Sequence, residues 1–318
     1  MHQLLSTPAV AEGLRRVETR ISRLSGSSSL PEINAGAERI VHAGGKRLRP
    51  ALTLATALAF GKKPDRRVIT AAACVELIHA GSLVHDDLMD NAAKRRGAPT
   101  LNADLGQGKA LVIGDFMLAR AGLAAITSVS RPVAEVLAAT VVELAEGQYL
   151  ETTDLFNRDR TEESALRSIT GKTAALFRAS CLVAALCARA GAEERTRMAI
   201  YGEKFGLIFQ ILDDLLDLTA AAEVLGKPTG NDLVQGVYSL PLLWARGKNP
   251  DLLDGDIPEV LARVRRSSMV DDTLAYCRAL ATEARAALPA SDPFAALAAL
   301  PTAYIDHVTE LTRTPAMA

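Results

Sequence analysis

An all-α fold is the class this sequence predicts, on three observations. Aromatic residues make up only 4% of the 318 residues while alanine is abundant, which suits close-packed helices better than strands rich in aromatic and β-branched side chains. Apolar residues recur at helical spacing, and strand signals are essentially absent. Proline, glycine and aspartate punctuate the apolar stretches where helices start and stop. The chain is long enough to bury a sizeable core. No shift in composition divides it, so residues 1–318 read as one helical domain, with 313–318 expected to be disordered.

The elements follow in order. Pro50 sits in the first turn of an apolar run over 51–60, and Gly61 closes it. Asp65 caps the next helix, whose apolar spacing continues through Cys74, Leu77, Ile78 and Leu83 to about Asp90. A loop over 92–99 leads to helices over 109–128 and 132–150. A polar break over 151–163 precedes further helices over 164–190, 194–218, 238–246, 258–265 and 271–288. No fixed-period repeat is present.

Net charge is −1, from 36 basic and 37 acidic residues, so no global field marks the protein for nucleic acid or an anionic membrane. Cys74, Cys181, Cys187 and Cys277 lack C-x-x-C spacing and lie in apolar stretches. They read as reduced core side chains, in keeping with a cytoplasmic protein. Glu12, Arg15 and Arg16 precede any long apolar run, unlike a secretory signal. Residues 111–126 are apolar but carry Asp115 and Arg120, so stable membrane insertion is not expected.

Two acidic clusters end otherwise apolar helices: Asp86-Asp87-Leu88-Met89-Asp90 and Asp213-Asp214-Leu215-Leu216-Asp217. The first and third aspartates of each lie on one face, and the second is only three before the third, so each cluster is expected to point a carboxylate patch one way. Like charges so placed need a cation. Hard carboxylate oxygens suit Mg²⁺, which completes its shell with water and phosphate oxygens. A single D-D-x-x-D could be a solvated helix end; two copies in opposite halves of the chain favour a metal–diphosphate site.

Basic groups fit the same chemistry. Lys46, Arg47 and Arg49 follow a double glycine, Arg95 and Arg96 follow the first cluster, and Lys172 and Lys227 come later. His79 lies seven residues before Asp86 on nearly the same face and reads as a phosphate contact, whereas His85 reads as a core residue.

Taken together, Gly44-Gly45-Lys46-Arg47-Leu48-Arg49-Pro50, His85-Asp86-Asp87-Leu88-Met89-Asp90 with Arg95-Arg96-Gly97, Glu146-Gly147-Gln148, Gly171-Lys172-Thr173 and Phe209-Gln210 before the second cluster resemble the motif series of the trans-isoprenyl diphosphate synthases, the polyprenyl synthetase family. The resemblance runs from about residue 30 to 245. It implies an isoprenoid-synthase-type antiparallel helix bundle around a deep central cavity, usually as a homodimer. It implies that Asp86, Asp87, Asp90, Asp213, Asp214 and Asp217 serve three magnesium ions per active site. By the same resemblance Arg95, Lys172, with Thr173 beside it, and Lys227 hold an allylic diphosphate, and Lys46, Arg49, His79 and Arg96 hold isopentenyl diphosphate. Gln210 would face the reacting carbons. Val237 stands where the family often has lysine.

In that family, product length depends on what blocks the cavity below the first cluster. Gly81 and Ser82 are small, and Ile78 and Cys74 deeper along the helix are not aromatic, so growth to geranylgeranyl diphosphate or beyond is expected. Gly81 and Ser82 could instead serve close helix packing. Phe116, Met117, Leu118, Leu144 and Leu150 are candidates for the floor. A farnesyl diphosphate synthase, a class I terpene cyclase and a non-catalytic subunit of a heteromeric synthase are the alternatives. A cyclase needs no second anion pocket, and a non-catalytic subunit tends to lose aspartates.

Overall fold

A computed structural model describes residues 7–220 and 229–313. Lys227 and residues 314–318 lie outside them, and so do the expectations attached to those positions. The helices in chain order are α1 (Pro8–Ser25), α2 (Pro31–His42), α3 (Leu48–Ala59), α4 (Arg66–Met89), α5 (Leu101–Leu105), α6 (Gln107–Ser128), α7 (Arg131–Thr153), α8 (Glu162–Ile169), α9 (Ala175–Cys187), α10 (Ala192–Thr219), α11 (Asn231–Val234), α12 (Leu240–Lys248), α13 (Ile257–Arg266), α14 (Met269–Ala287) and α15 (Ala295–Arg313).

Local signals act as expected at several ends. Asp65 accepts from the amides of Arg67 and Val68 and starts α4. Gly61, at φ +69°, ends α3 with its N–H on Leu58 O while Lys62 N–H reaches Ala57 O, a Schellman turn. Helices α1, α2, α5, α11 and α15 are additional to those drawn from periodicity.

Two local features depart from expectation. The 92–99 loop folds as a small antiparallel hairpin, β1 (Lys94–Arg95) with β2 (Ala98–Pro99), because Arg96 and Gly97 both take positive φ and match the twist of a two-residue turn. The helix expected over 164–190 is interrupted by a π-helical turn at Thr170–Ala174, one wide turn between α8 and α9.

Helix α4 is the spine. From Val68 to Ile78 every residue is buried, and α1, α3, α6, α7 and α9 all pack on it. Its neighbours form one hydrophobic core that continues through α10, α14 and α15. Three stretches are long and apolar enough to cross a membrane by length and composition: α4, α6 and Glu162–Cys187. Two charges in α6 do not lower its hydropathy enough to disqualify it, contrary to the sequence expectation. The bundle buries 78% of the apolar window of α4 and 67% of that in Glu162–Cys187, but only 39% of that in α6.

Close contact between α9 and α10 depends on Gly202. A Cβ there would lie 2.6 Å from Phe177 O and 2.8 Å from Arg178 Cα, both backbone atoms that cannot swing aside. Gly202→Ala is expected to destabilise the fold by about 1–3 kcal/mol, as overpacking does. Urea unfolding measures this; an unchanged midpoint would show that the helices can separate freely.

Candidate active site

The ends of α4 and α10 reach one cavity of about 780 Å³. Its polar rim includes Asp86, Asp213, Gln210, Lys172, Thr173, Gln148, His79 and Arg49, and its apolar wall includes Leu111, Leu118, Val141, Leu144 and Phe209. A second cavity of about 270 Å³ adjoins it. That one is lined by Arg39, Lys46, Arg47, Arg49, His79, Arg95 and Arg96, together with Glu76 and Asp87. Arg49, His79, Leu83, Arg96 and Phe209 belong to both, so the two spaces meet.

The acidic clusters do not point one way. Asp86 and Asp90 face Lys172 and Glu151, whose charges act on both. Asp87, one residue on, is rotated about 100° around the helix. It is buried in the second cavity, where it accepts from Arg95 Nε at 2.7 Å. In the second cluster Asp213 faces the cavity. Asp214 is buried and accepts from Gln210 Nε2 at 2.7 Å. Asp217 is buried because residues 229–232 fold over the helix end, with Asp232 N–H donating to its carboxylate at 3.0 Å and Gly230 N–H to its backbone carbonyl at 2.7 Å.

Lys172 reaches the cavity through the π turn and a close crossing of α7. A Cβ on Gly147 would come within 2.3 Å of Lys172 N, and one on Gly171 within 2.6 Å of Glu143 O. Only glycines allow this approach. Lys172 Nζ then pairs with Glu151 Oε1 at 2.5 Å. Thr173 Oγ1 donates to Gln210 Oε1 at 2.7 Å, so Thr173, Gln210 and Asp214 form a chain behind the rim.

In the second cavity Arg49 is enclosed, its guanidinium 4.5 Å from the Phe177 ring centre and its Nε without a partner among the described residues. Burial lowers its pKa to about 10, so it remains a cation at neutral pH. His79 is held well below its ordinary pKa by burial and then by Arg49, Arg96, Arg95 and Arg47, which keeps it neutral. Arg96 donates to the Gly44 carbonyl and fastens the β1–β2 hairpin over the double-glycine turn.

Residues 31–265 match the family model described as polyprenyl synthetase. The chain belongs to the polyprenyl synthetase family. Heptaprenyl diphosphate synthase component 2 of Bacillus subtilis is 39% identical over 228 residues, which cover 71% of this chain and 64%, a little under two thirds, of that protein. A crystal structure of a decaprenyl diphosphate synthase from Rhodobacter capsulatus superposes with a TM-score of 0.87 at 31% identity, covering 96% of this chain and 99% of that one. A polyprenyl synthase from Caulobacter crescentus, complexed with calcium and isoprenyl diphosphate, gives 0.86 at 30% identity, covering 99% and 98%. The antiparallel bundle around a central cavity is thus the fold of this synthetase, and it is an enzyme of the prenyltransferase class.

Within the synthetase several sequence assignments change place. Arg95, expected beside Lys172 at the allylic diphosphate, lies in the second cavity on Asp87. Ser82 lines the main cavity, but Gly81 is packed against Gly114 and Leu118, and Ile78 and Cys74 are fully buried in the core. The packing alternative for Gly81 therefore describes it, and Leu118 and Leu144 are the floor candidates that line the cavity. His85 is a half-buried wall residue rather than a core one, its ring set into the notch at Gly114 with Nε2 3.3 Å from Asp115 Oδ1. Glu151, Asp232, Arg39 and Phe209 were not singled out as site residues. Glu151 lies one turn beyond Gly147-Gln148, a spacing that shared the signal; Asp232 and Arg39 carried none.

Burial raises the pKa of Asp86, Asp87 and Asp90 above the ordinary 3.8 despite Lys172 and Arg95. Burial, then Asp232, raises Asp214 furthest. These carboxyls bind protons more tightly folded than unfolded. Their contribution to stability is therefore full below about pH 3.8 and is lost as pH rises through the raised values. Asp214→Asn is expected to flatten the fall in stability of the ligand-free protein above pH 4, roughly the unfolded carboxylate value. Thermal melts across pH 4 to 8, roughly that window upward, test this; an unchanged slope would mean that Asp214 is ionised at little cost.

Proposed function

We propose that this synthetase condenses isopentenyl diphosphate with an allylic diphosphate, in the presence of Mg²⁺, to give an all-trans polyprenyl diphosphate of geranylgeranyl length or longer. The observation that carries the reading is the pair of joined cavities, one acidic at its rim and apolar in its depth, the other basic. Each suits one diphosphate substrate, and they share Arg49, His79, Arg96 and Phe209, so the two spaces are continuous and their occupants can react. A terpene cyclase has no use for the second.

The residues fit a magnesium–diphosphate complex. Asp86 and Asp213 are carboxylates at the cavity rim, and Asp90, one turn beyond Asp86, shares with it the charge of Lys172. Such rim carboxylates suit Mg²⁺, which takes one or two carboxylates and shares the rest of its shell with phosphate and water. When bound, the ions supply Lewis-acid stabilisation of the departing pyrophosphate. Calcium with isoprenyl diphosphate in the Caulobacter relative supports a divalent ion here.

Lys172 adds a fixed positive charge on the leaving oxygens. Asp87 orients Arg95, and Asp214 orients Gln210, so these two aspartates support the site rather than face it. The allylic C–O bond breaks, the double bond of isopentenyl diphosphate attacks the cation, and a proton passes to the pyrophosphate. Leu118, Val141, Leu144 and Phe209 keep water from the cation and house the growing chain. Because Leu118 is pressed against Gly81, bulk at position 81 acts on the cavity by displacing Leu118.

Product sizing after incubation with Mg²⁺, labelled isopentenyl diphosphate and each allylic starter tests the reading. Geranylgeranyl or longer products are expected from the unmodified chain, longer ones from Leu118→Ala and shorter ones from Gly81→Phe. Asp86→Ala should cost at least about 100-fold in kcat. No incorporation with any starter would overturn the condensation; products ending at farnesyl would overturn the length alone.

We further propose a homodimer through α6 and α7. These adjacent helices expose Leu111, Val112, Leu123, Ile126, Val142 and Tyr149, a run of apolar side chains on one face. Leu111 and Tyr149 also line the main cavity, so a second copy would complete its wall. Sedimentation should give twice 33.7 kDa for the chain and half that value for Leu123→Glu. A monomer that turns over only with an added subunit would favour a two-component assembly, as the name of the Bacillus relative suggests for that protein.

A further inference from the structure

The double-glycine turn carries three basic residues, and the structure divides them. All three line the second cavity, where Lys46 and Arg49 form no ion pair among the described residues, whereas Arg47 has all three guanidinium nitrogens engaged. Its Nε and Nη2 donate to the two oxygens of Glu18 at 2.5 and 3.3 Å, Nη1 donates to Glu76 Oε1 at 2.8 Å, and Nη2 donates to the Val41 carbonyl at 2.5 Å. The residue sits at φ +46°, ψ 36°, a conformation that side chains with a Cβ rarely adopt. Its anchors on α1 and α4 hold it there.

Glu76 is the reason this matters. It is only 5% exposed, it lines the second cavity, and it lies one turn before His79 on α4. Asp87 is the other carboxylate of that cavity and is already taken by Arg95. A buried carboxylate without a partner captures the nearest cation. Arg49 is such a cation: it is enclosed beside Glu76, stacked on Phe177, and its Nε has no partner among the described residues.

We propose that Arg47 is a positioning residue: by occupying Glu76 it leaves the Arg49 guanidinium free for the second anionic substrate and fixes the turn that presents Lys46. The inference rests on the reading that this cavity receives isopentenyl diphosphate. Four of the five guanidinium N–H groups of Arg47 are taken by Glu18, Glu76 and Val41, so its side chain is committed to the protein rather than to that substrate. Removing it releases the Glu76 carboxylate onto Arg49, and the cavity loses one net positive charge, that of Arg49, because Arg47 was already balanced by carboxylates.

The test is steady-state kinetics on the full chain with each substrate varied in turn, for Arg47→Met, Arg47→Met with Glu76→Gln, and Lys46→Ala. Arg47→Met should raise KM for isopentenyl diphosphate about tenfold or more while KM for the allylic diphosphate and kcat stay within about threefold. Adding Glu76→Gln should return KM for isopentenyl diphosphate to within about threefold of the unmodified value. The double variant buries no unpaired carboxylate, so it carries the test if the single variant does not fold. Equal changes in both KM values, or no recovery on adding Glu76→Gln, would overturn the role of Arg47. An unchanged KM for isopentenyl diphosphate in Lys46→Ala would instead overturn the assignment of the cavity.

Discussion

Because α4 is enclosed along most of its length, its polar side chains can emerge only where a cavity opens, and two cavities open on it. The rotation of about 100° per residue sends Asp86 to one and Asp87 to the other. His79, where the two spaces join, serves both. A single helix therefore fixes the relative placement of the two cavities, with no hinge between them. The rest of the bundle closes around this arrangement: α10 completes the acidic rim with Asp213, and the α2–α3 turn and the hairpin close the basic cavity with Lys46, Arg49 and Arg96.

Glycine sets the other distance. At Gly147 and Gly171 two backbones approach so closely that Lys172 is carried to the acidic rim, and the π turn supplies the extra residue that aims it. Lys172 there is held by Glu151 beside carboxylates that burial has pushed toward protonation. In the basic cavity Asp87 and Glu76 each hold one arginine, and Arg49 keeps its cation unpaired among the described residues.

The aspartate clusters show how a motif divides when folded. Read as a string, D-D-x-x-D is one patch. In the bundle Asp86 and Asp213 are turned to the cavity and Asp90 is exposed beside Lys172, while Asp87, Asp214 and Asp217 hold Arg95, Gln210 and the 229–232 turn. The wall below the first cluster follows a similar logic, since the small residue at 81 meets Leu118 rather than the cavity itself.

Much of this protein was legible in its sequence. Low aromatic content, helical periodicity and caps such as Asp65 and Gly61 act within a few residues, so they determined the all-α class and most helix ends without help from the rest of the chain. The paired aspartate clusters and the glycine-flanked basic motifs determined the family for the same reason, because the chemistry requires those residue types at short spacing. Tertiary structure decided what depends on rotation and approach between distant segments. Which aspartate faces the cavity, why Arg95 belongs with Asp87, how Gly147 admits Lys172, and why Gly81 touches Leu118 are all set by helices that meet only after folding. Arg47 is the clearest case: beside Lys46 and Arg49 in sequence it is one of three cations, and only the arrival of Glu18 and Glu76 from two other helices gives it a different task.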